Sequence, residues 1–356
     1  MNPLVSVIIP IYNVEKYVRH CIQSILSQDI NHSLVELIIV NDCTQDNSME
    51  IVKEIIGKYK TEDNGIMSIK ILSHAKNRGL SASRNTGMKE ASGEFVFFVD
   101  SDDYLFPDAI KNQLKYHKHY PEADIIIGNY YDEQNAKNNY NISCPVIVYD
   151  MNSLCVGKLT QRTVWNNMVR RKLLTDSKIE FVEGIYFEDT IFNYQLISLL
   201  KTAILIPEVT YFYRKNPHGI MLWTRQEMVD KTVNDYLCIM NIFFESLSGK
   251  TYVGKSIRVF SICLILYDYI NNHSNQISDL KSVKSRFSDV RRKMLLSYLR
   301  NARVFLFLLS LFVFPPINKL IRYRWFRQKC GKMIDISGYL EVGRDKFLNH
   351  FKSFKY

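Results

Sequence analysis

Three carboxylates, Asp100, Asp102 and Asp103, follow directly on the apolar run Phe95-Val-Phe-Phe-Val99. An unpaired ionised carboxylate loses its hydration inside a buried strand. These acids must therefore sit where the strand emerges, at the rim of a sheet. The carboxyl ends of parallel strands are where open α/β sheets bind ligands. Clustered carboxylates there make an oxygen-rich site suited to Mg²⁺ or Mn²⁺, ions that bridge one or two protein carboxylates to substrate phosphates. The plainer reading of the segment is a solvated acidic turn capping the next helix.

The elements that must position these acids read as follows. Val5-Ser-Val-Ile-Ile-Pro10 is a buried strand ended by proline, and Glu15 to Leu26 has helical spacing. Leu34 to Val40 is a second strand, Ser48 to Tyr59 a second helix, and Met67 to Leu72 a third strand. A polar loop then leads into a helix at 81–91, followed by the strand at 95–99. Strands alternating with helices indicate a parallel sheet covered on both faces, an α/β fold. Further on, the pattern predicts a helix at 107–119, a strand at 124–128 and an irregular polar excursion at 132–145. Helical periodicity covers 163–174 and 187–200, and two short strands are expected at 203–206 and 209–213. From about 226 to 300 the pattern is helical.

No Gly-x-Gly-x-x-Gly follows the first strand and no Gly-x-x-x-x-Gly-Lys-[Ser/Thr] is present, which excludes a dinucleotide fingerprint and a P-loop. Instead the first strand runs into Pro10-Ile11-Tyr12-Asn13, and the second into Asn41-Asp42-Cys43-Thr44-Gln45-Asp46-Asn47-Ser48. Both loops emerge at the edge of Asp100–Asp103. An aromatic and a carboxylate there suit a base; equally, Tyr12 can pack, and Asp42 or Asp46 can cap the helix at Ser48. Asn77-Arg78-Gly79-Leu80-Ser81-Ala82-Ser83-Arg84-Asn85-Thr86-Gly87 brings basic side chains and helix N-terminal amides, both suited to a diphosphate.

Taken in order, these motifs resemble glycosyltransferase family 2, inverting nucleotide-sugar-dependent enzymes of the GT-A fold. The resemblance covers residues 4 to about 220. It implies a Rossmann-like, mostly parallel sheet flanked by helices, to which the helical pattern after 226 adds an α-helical C-terminal extension. It implies that Pro10, Tyr12 and Asp42 hold the nucleoside, with Asn77 and Arg78 near the diphosphate. Asp100-Ser101-Asp102 becomes the Asp-x-Asp signature, with Asp102 the metal ligand and Asp100 nearer the ribose or sugar. The family's usual Asp-Gly-Ser appears here as Asp42-Cys43-Thr44. Val164-Trp165-Asn166-Asn167 and Phe187-Glu188-Asp189-Thr190 resemble the acceptor-side elements, with Asp189 in the place of the catalytic base. A helix-capping acidic turn is the alternative for Glu188-Asp189. Tyr211-Phe-Tyr213-Arg214-x-x-x-His218 resembles the closing loop, where Arg214 and His218 approach the phosphates or metal.

The chain's 356 residues, 47% hydrophobic and 23% charged, suit a globular protein. Its seven cysteines contain no Cys-x-x-Cys pair, which argues against a zinc knuckle and a disulfide framework and suits a reducing compartment. The N-terminus lacks the basic and apolar regions of a secretory signal. The net charge of +10 is concentrated: residues 291–332 carry eleven Lys or Arg and no acid, leaving 35 basic against 36 acidic side chains elsewhere. Those charges flank Val304–Phe314, an apolar run with no use in a nucleic-acid arm and too short for a spanning helix of about 20 residues. The combination suits an interfacial helix on an anionic leaflet, or a buried C-terminal helix.

The expected organisation is a GT-A domain at 1–220 (nucleotide-binding half 1–103, acceptor-binding half 104–220), a helical extension at 221–290 and a membrane-associating tail at 291–356. The resemblance implies transfer of a hexose or N-acetylhexosamine from a UDP-linked sugar, with Mg²⁺ or Mn²⁺, to a lipid-linked or growing glycan. Capsule, O-antigen or exopolysaccharide assembly at the cytoplasmic face of the membrane follows from the tail, and no nucleic-acid partner is expected. Alternatives are a transferase of a phosphorylated sugar or polyol, and a catalytically silent nucleotide-sugar-binding subunit.

Overall fold

The computed structural model describes residues 3–61, 67–149, 163–216, 226–245 and 262–298, apart from 264, 265 and 268. By internal contacts the chain divides into two compact units, Met1–Thr224 and Arg225–Tyr356.

The first unit is built on one sheet. Strand β1 (Val5–Ile11) is central and pairs in parallel with β2 (Val35–Asn41) and β4 (Phe95–Phe98); β3 (Ser68–Ser73) adds in parallel to β2. Helices α1 (Val18–Leu26), α2 (Ser48–Thr61) and α3 (Leu80–Glu90) connect them. Buried parallel strands need apolar residues on both faces, and β1 supplies them. Val7, Ile9 and Ile11 enter one core and Ile8 the other. The strand continues one residue past Pro10, because pairing with β4 stops at Ile8 and the missing N–H removes no ladder bond on that side.

The second half of the sheet departs from expectation at two points. The run expected to be helical at 163–174 instead contains strand β9 (Asn167–Arg170), antiparallel between β4 and β6 (Ile125–Asp132), followed by the short helix α5 (Arg171–Asp176). Short apolar runs are ambiguous in periodicity. Here Met168 enters one core and Val169 the other, as a central strand requires. The two short strands expected at 203–213 form a single strand, β10 (Ala203–Tyr213). Its register shifts between Leu205 and Tyr211, around Pro207, the residue that suggests a break in the sequence. Its ends pair with β8 (Val146–Val148) and β5 (Tyr104–Leu105). The excursion at 132–145 holds a two-residue strand, β7 (Lys137–Asn138), folded back on β6. Helices α4 (Ala109–His119) and α6 (Glu188–Ile197) lie near their expected places.

In the second unit, α7 (Gln226–Glu245) and α8 (Leu280–Tyr298) pack together; α7 buries Val229, Val233 and Leu237, and α8 buries Val283, Phe287 and Val290. Helix α8 continues through residue 291, so the basic segment begins inside it. Among the described residues no helix is long and apolar enough to cross a membrane. The apolar run at 304–314 and the rest of the tail lie outside the described residues.

Candidate active site

Strands β1, β2 and β4 are parallel neighbours, so their carboxyl ends bring the three motif loops to one edge. At the end of β4, Asp100 Oδ1 accepts from Arg84 Nη2 at 2.7 Å. The same guanidinium donates through Nη1 to Glu188 Oε1 at 2.6 Å. Arg84 lies on α3, only 2% exposed, with its guanidinium 5.3 Å from the centre of the Phe181 ring. One buried fork thus joins the Asp-x-Asp segment to the Glu188-Asp189 pair at the start of α6. Burial opposes the Arg84 charge, but the facing Asp100 and Glu188 carboxylates outweigh it and hold the guanidinium firmly protonated.

Asp42, expected on the donor side, is 2% exposed, and its carboxylate organises the loop after β3. Its Oδ1 accepts from His74 Nδ1 at 2.6 Å and from the Arg78 amide at 2.8 Å, and its Oδ2 from the Gly79 amide at 2.7 Å. A carboxylate has about four acceptor positions, so Oδ2 retains one for a ligand. Tyr12, at the end of β1, is 43% exposed, while Pro10 is buried within the strand. Asn77 and Arg78 are exposed, and Arg78 reaches Glu183 at 3.2 Å. Asp46 serves as the cap: its carboxylate accepts from Ser48 N at 3.1 Å and Ser48 Oγ at 2.6 Å. Burial pushes Asp46 up, but these bonds and those from Glu15 N and Thr44 outweigh it and leave its carboxyl below the usual range.

The loop expected on the acceptor side is tied to α3 at several points. Asn85 donates to Phe181 O at 2.9 Å and accepts from Phe181 N at 2.8 Å. Phe187, just before α6, has φ +61°, an uncommon value for a bulky residue. Such strain persists only where surrounding contacts over-determine it. Immediately after it, Glu188 is taken by Arg84. Asp189 receives the Thr190 amide and a long 3.5 Å contact from Thr190 Oγ1, both from its own neighbour, and among the described residues forms no ion pair. Burial and the adjacent Glu188 charge push the Asp189 carboxyl up, against the opposing pull of Arg84. A partly buried carboxylate raised in this way is suited to accept a proton near neutral pH.

Beneath the acidic rim, Trp165 is 4% exposed. It stacks on Tyr211 (4.4 Å, 11°) and Tyr213 (5.3 Å, 13°) and meets Tyr130 edge-on. The side chain expected on the acceptor side therefore lies in the core, supporting the rings above it. Ser101 is 7% exposed. Asp103 is buried, accepting from Tyr211 Oη at 2.7 Å and from the Arg214 amide at 2.8 Å. Arg214 also donates from Nε to Asp102 O at 2.8 Å, which anchors the end of β10 on the acidic turn. His218 lies outside the described residues.

The donor set at this rim fits a divalent cation. Burial and the Asp100 charge push the Asp102 carboxyl up, and among the described residues Asp102 has no ion-pair partner, only the Asn216 amide at 2.8 Å. Surplus negative charge on hard oxygens is what Mg²⁺ or Mn²⁺ relieves. Among the described residues no three His, Cys, Asp or Glu side chains form a ready cage. A cation shared with substrate phosphates needs only one or two carboxylates.

Residues 6–177 match the family described as glycosyl transferase family 2. Those residues form a domain of that family. Among its relatives is the uncharacterized glycosyltransferase EpsJ of Bacillus subtilis, 33% identical over 232 residues, 62% of this chain and 63% of EpsJ. The chain matches less than two thirds of that protein's length. The minor teichoic acid biosynthesis protein GgaA of B. subtilis is 30% identical over 74% of this chain and 59% of its own. Among solved structures, Staphylococcus aureus TarS 1–349 in complex with UDP-GlcNAc superposes with a TM-score of 0.66 at 18% identity, covering 99% of this chain and 93% of that one. The mannosyltransferase PcManGT of Pyrobaculum calidifontis, in complex with GDP-Man and Mn²⁺, gives 0.53 at 13% identity, covering 85% and 88%. These likenesses place the fold in the GT-A class.

The glycine of the family's Asp-Gly-Ser has a physical counterpart here. Cys43 adopts φ +58°, a left-handed conformation that glycine takes without strain. Three residues beyond the predicted set emerge as parts of the site: His74, which holds Asp42; Arg84, which joins the acidic pairs; and Asp103, which holds the end of β10. Arg84 and Asp103 stand within the motifs as read. His74 carries no signal beyond proximity to Asn77.

Proposed function

We propose that this chain transfers a hexose or N-acetylhexosamine from a UDP-linked sugar to a hydroxyl of a lipid-linked or growing surface glycan, with inversion at the anomeric carbon. The observation that carries the reading is the Arg84 fork, which gathers Asp100 and Glu188 from opposite sides of one sheet edge. Donor and acceptor machinery meet there. Tyr12 and the free acceptor position of Asp42 face the nucleoside, and Asn77 and Arg78 the diphosphate. Asp189 takes the proton of the acceptor hydroxyl as its oxygen bonds to the anomeric carbon. The bond to the diphosphate breaks, and the nucleoside diphosphate leaves with the electron pair. A bound Mg²⁺ or Mn²⁺, held by Asp102, supplies charge neutralisation to that leaving group. The UDP-GlcNAc of TarS 1–349 and the teichoic-acid role named for GgaA support a UDP-linked donor and a cell-surface acceptor. The basic charge of residues 291–332 supports a peripheral position on an anionic membrane.

The test is a thermal-shift screen of UDP-GlcNAc, UDP-glucose and GDP-mannose with and without Mn²⁺. A ligand that binds only the native state at a hundred times its Kd stabilises by about 2.7 kcal/mol. UDP-linked sugars are expected to raise Tm, and more so with Mn²⁺. A rise with GDP-mannose alone would overturn the donor assignment, and no rise with any of them would overturn the activity.

A further inference from the structure

The acidic edge holds two carboxylate pairs from distant parts of the chain, and the Arg84 guanidinium bridges them. We propose that Arg84 is a positioning residue that sorts these carboxylates. By pairing with Asp100 and Glu188, it leaves Asp102 and Asp189, one member of each pair, without an ion-pair partner among the described residues and so available for metal and proton.

The geometry requires both ends of the fork. Nη1 meets Glu188 at 2.6 Å and Nη2 meets Asp100 at 2.7 Å, while the side chain is 3% exposed. A planar guanidinium holds two carboxylates at fixed separation, which a single ammonium does not. The position is not interchangeable with a surface cation, since water cannot replace it: the Arg84 Nε is buried without a hydrogen-bond partner. Two adjacent carboxylates that share one cation acquire different tasks, because environments that drive a pair apart assign acid–base roles. In the second pair, Glu188 is fixed by charge and Asp189 is left to titrate. The charged groups facing Asp189 are Glu188 on its own helix, Arg84 on α3 and Asp100 at the end of β4.

The activity arm of the test rests on the glycosyltransferase reading; the stability arm does not. In the stability arm, Arg84→Met, Glu188→Gln and their combination are melted by circular dichroism. Arg84→Met strands the buried Glu188 carboxylate and the partly exposed Asp100 and is expected to lower Tm. Glu188→Gln in the same chain removes one stranded charge and is expected to recover part of the loss, although Glu188→Gln alone lowers Tm. Strictly additive shifts would overturn the pairing. In the activity arm, release of UDP from UDP-GlcNAc with Mn²⁺ is followed against pH, with Arg84→Lys as a variant that keeps the charge but not the fork. Arg84→Lys is expected to lose about tenfold to a hundredfold in kcat through misplacement. The acid limb of kcat should move to higher pH in Arg84→Met and to lower pH in Glu188→Gln. Wild-type kcat in Arg84→Lys, or acid limbs that stay together in all variants, would overturn the positioning role. If the wild-type chain released UDP from no donor, the glycosyltransferase reading would fail, while the melting cycle would still decide the pairing.

Discussion

Replacing Asp189 by Asn removes the proposed base while keeping its shape. The structure sets the size of the loss. Among the described residues the carboxylates facing it, Glu188 and Asp100, are both held by the buried Arg84 guanidinium, at 2.6 and 2.7 Å, and do not take over the proton. General-base catalysis is worth roughly 10²–10⁴-fold, or about 2.7–5.5 kcal/mol in the barrier. With no substitute base, the variant belongs in the upper part of that range. Donor affinity should hold, since the Asp42 loop is organised by His74, Arg78 and Gly79 and not through α6. Stability carries a second, signed expectation. The Asp189 carboxyl is raised in the fold by burial and by Glu188. As pH rises, the unfolded chain ionises first, from about 3.9, so the wild type loses stability until the folded carboxyl has ionised. The amide introduced by Asp189→Asn does not titrate and has no such loss. The variant should therefore gain on the wild type with rising pH by about 1.4 kcal/mol per unit of elevation, then level off. The assay pairs UDP release at saturating donor with melting curves from pH 4 to 9. A collapse of donor affinity, or a variant that loses stability relative to wild type as pH rises, would refute the assignment.

Asp102→Asn should abolish Mn²⁺-stimulated turnover while leaving the melting temperature in the absence of metal unchanged or raised; full activity in excess chelator would refute the metal role. Asn85→Ala removes both bonds that hold Phe181, at about 1–3 kcal/mol for the stranded amide groups. It should raise the acceptor KM more than the donor KM, which initial-rate kinetics with both substrates varied will read. Flotation with phosphatidylglycerol vesicles should show binding that weakens as salt rises, with about 1 kcal/mol per juxtamembrane Lys or Arg. A chain ending after Tyr298, where α8 stops, should float less. Equal flotation by both chains would refute a membrane role for the tail.

The strands β1, β2 and β4 were legible because parallel strands buried on both faces are written as largely apolar runs between helices, and the partly exposed edge strand β3 was legible from its place in the same alternation. Strand β9 was not. Its four residues lie between two strands distant in sequence, and the periodicity of so short a run carries no information about which neighbours will claim it. The acidic rim was legible from composition alone, since Asp100, Asp102 and Asp103 had nowhere else to go. What Arg84 does with that rim was hidden, because its partner Glu188 is 104 residues away. The burial of Trp165 was hidden for a similar reason. A tryptophan within a motif reads as a ligand contact until Tyr211 and Tyr213 are placed over its faces.

The two arginines of the α3 region illustrate how burial divides labour between similar side chains. Arg78 pairs with Glu183 at 3.2 Å, with both side chains 44% exposed. An exposed pair contributes about 0–1 kcal/mol, so Arg78 can leave Glu183 for an incoming diphosphate at small cost. Arg84 sits six residues further along, its own side chain 3% exposed, with Glu188 11% and Asp100 25% exposed around it. Breaking such a buried pair from one side costs about 3–5 kcal/mol, more than a single new contact to a ligand returns. The exposed arginine is therefore the one free to exchange partners during a catalytic cycle. The buried one has to keep its partners throughout, which makes it the fixed point against which the donor and acceptor sides are set.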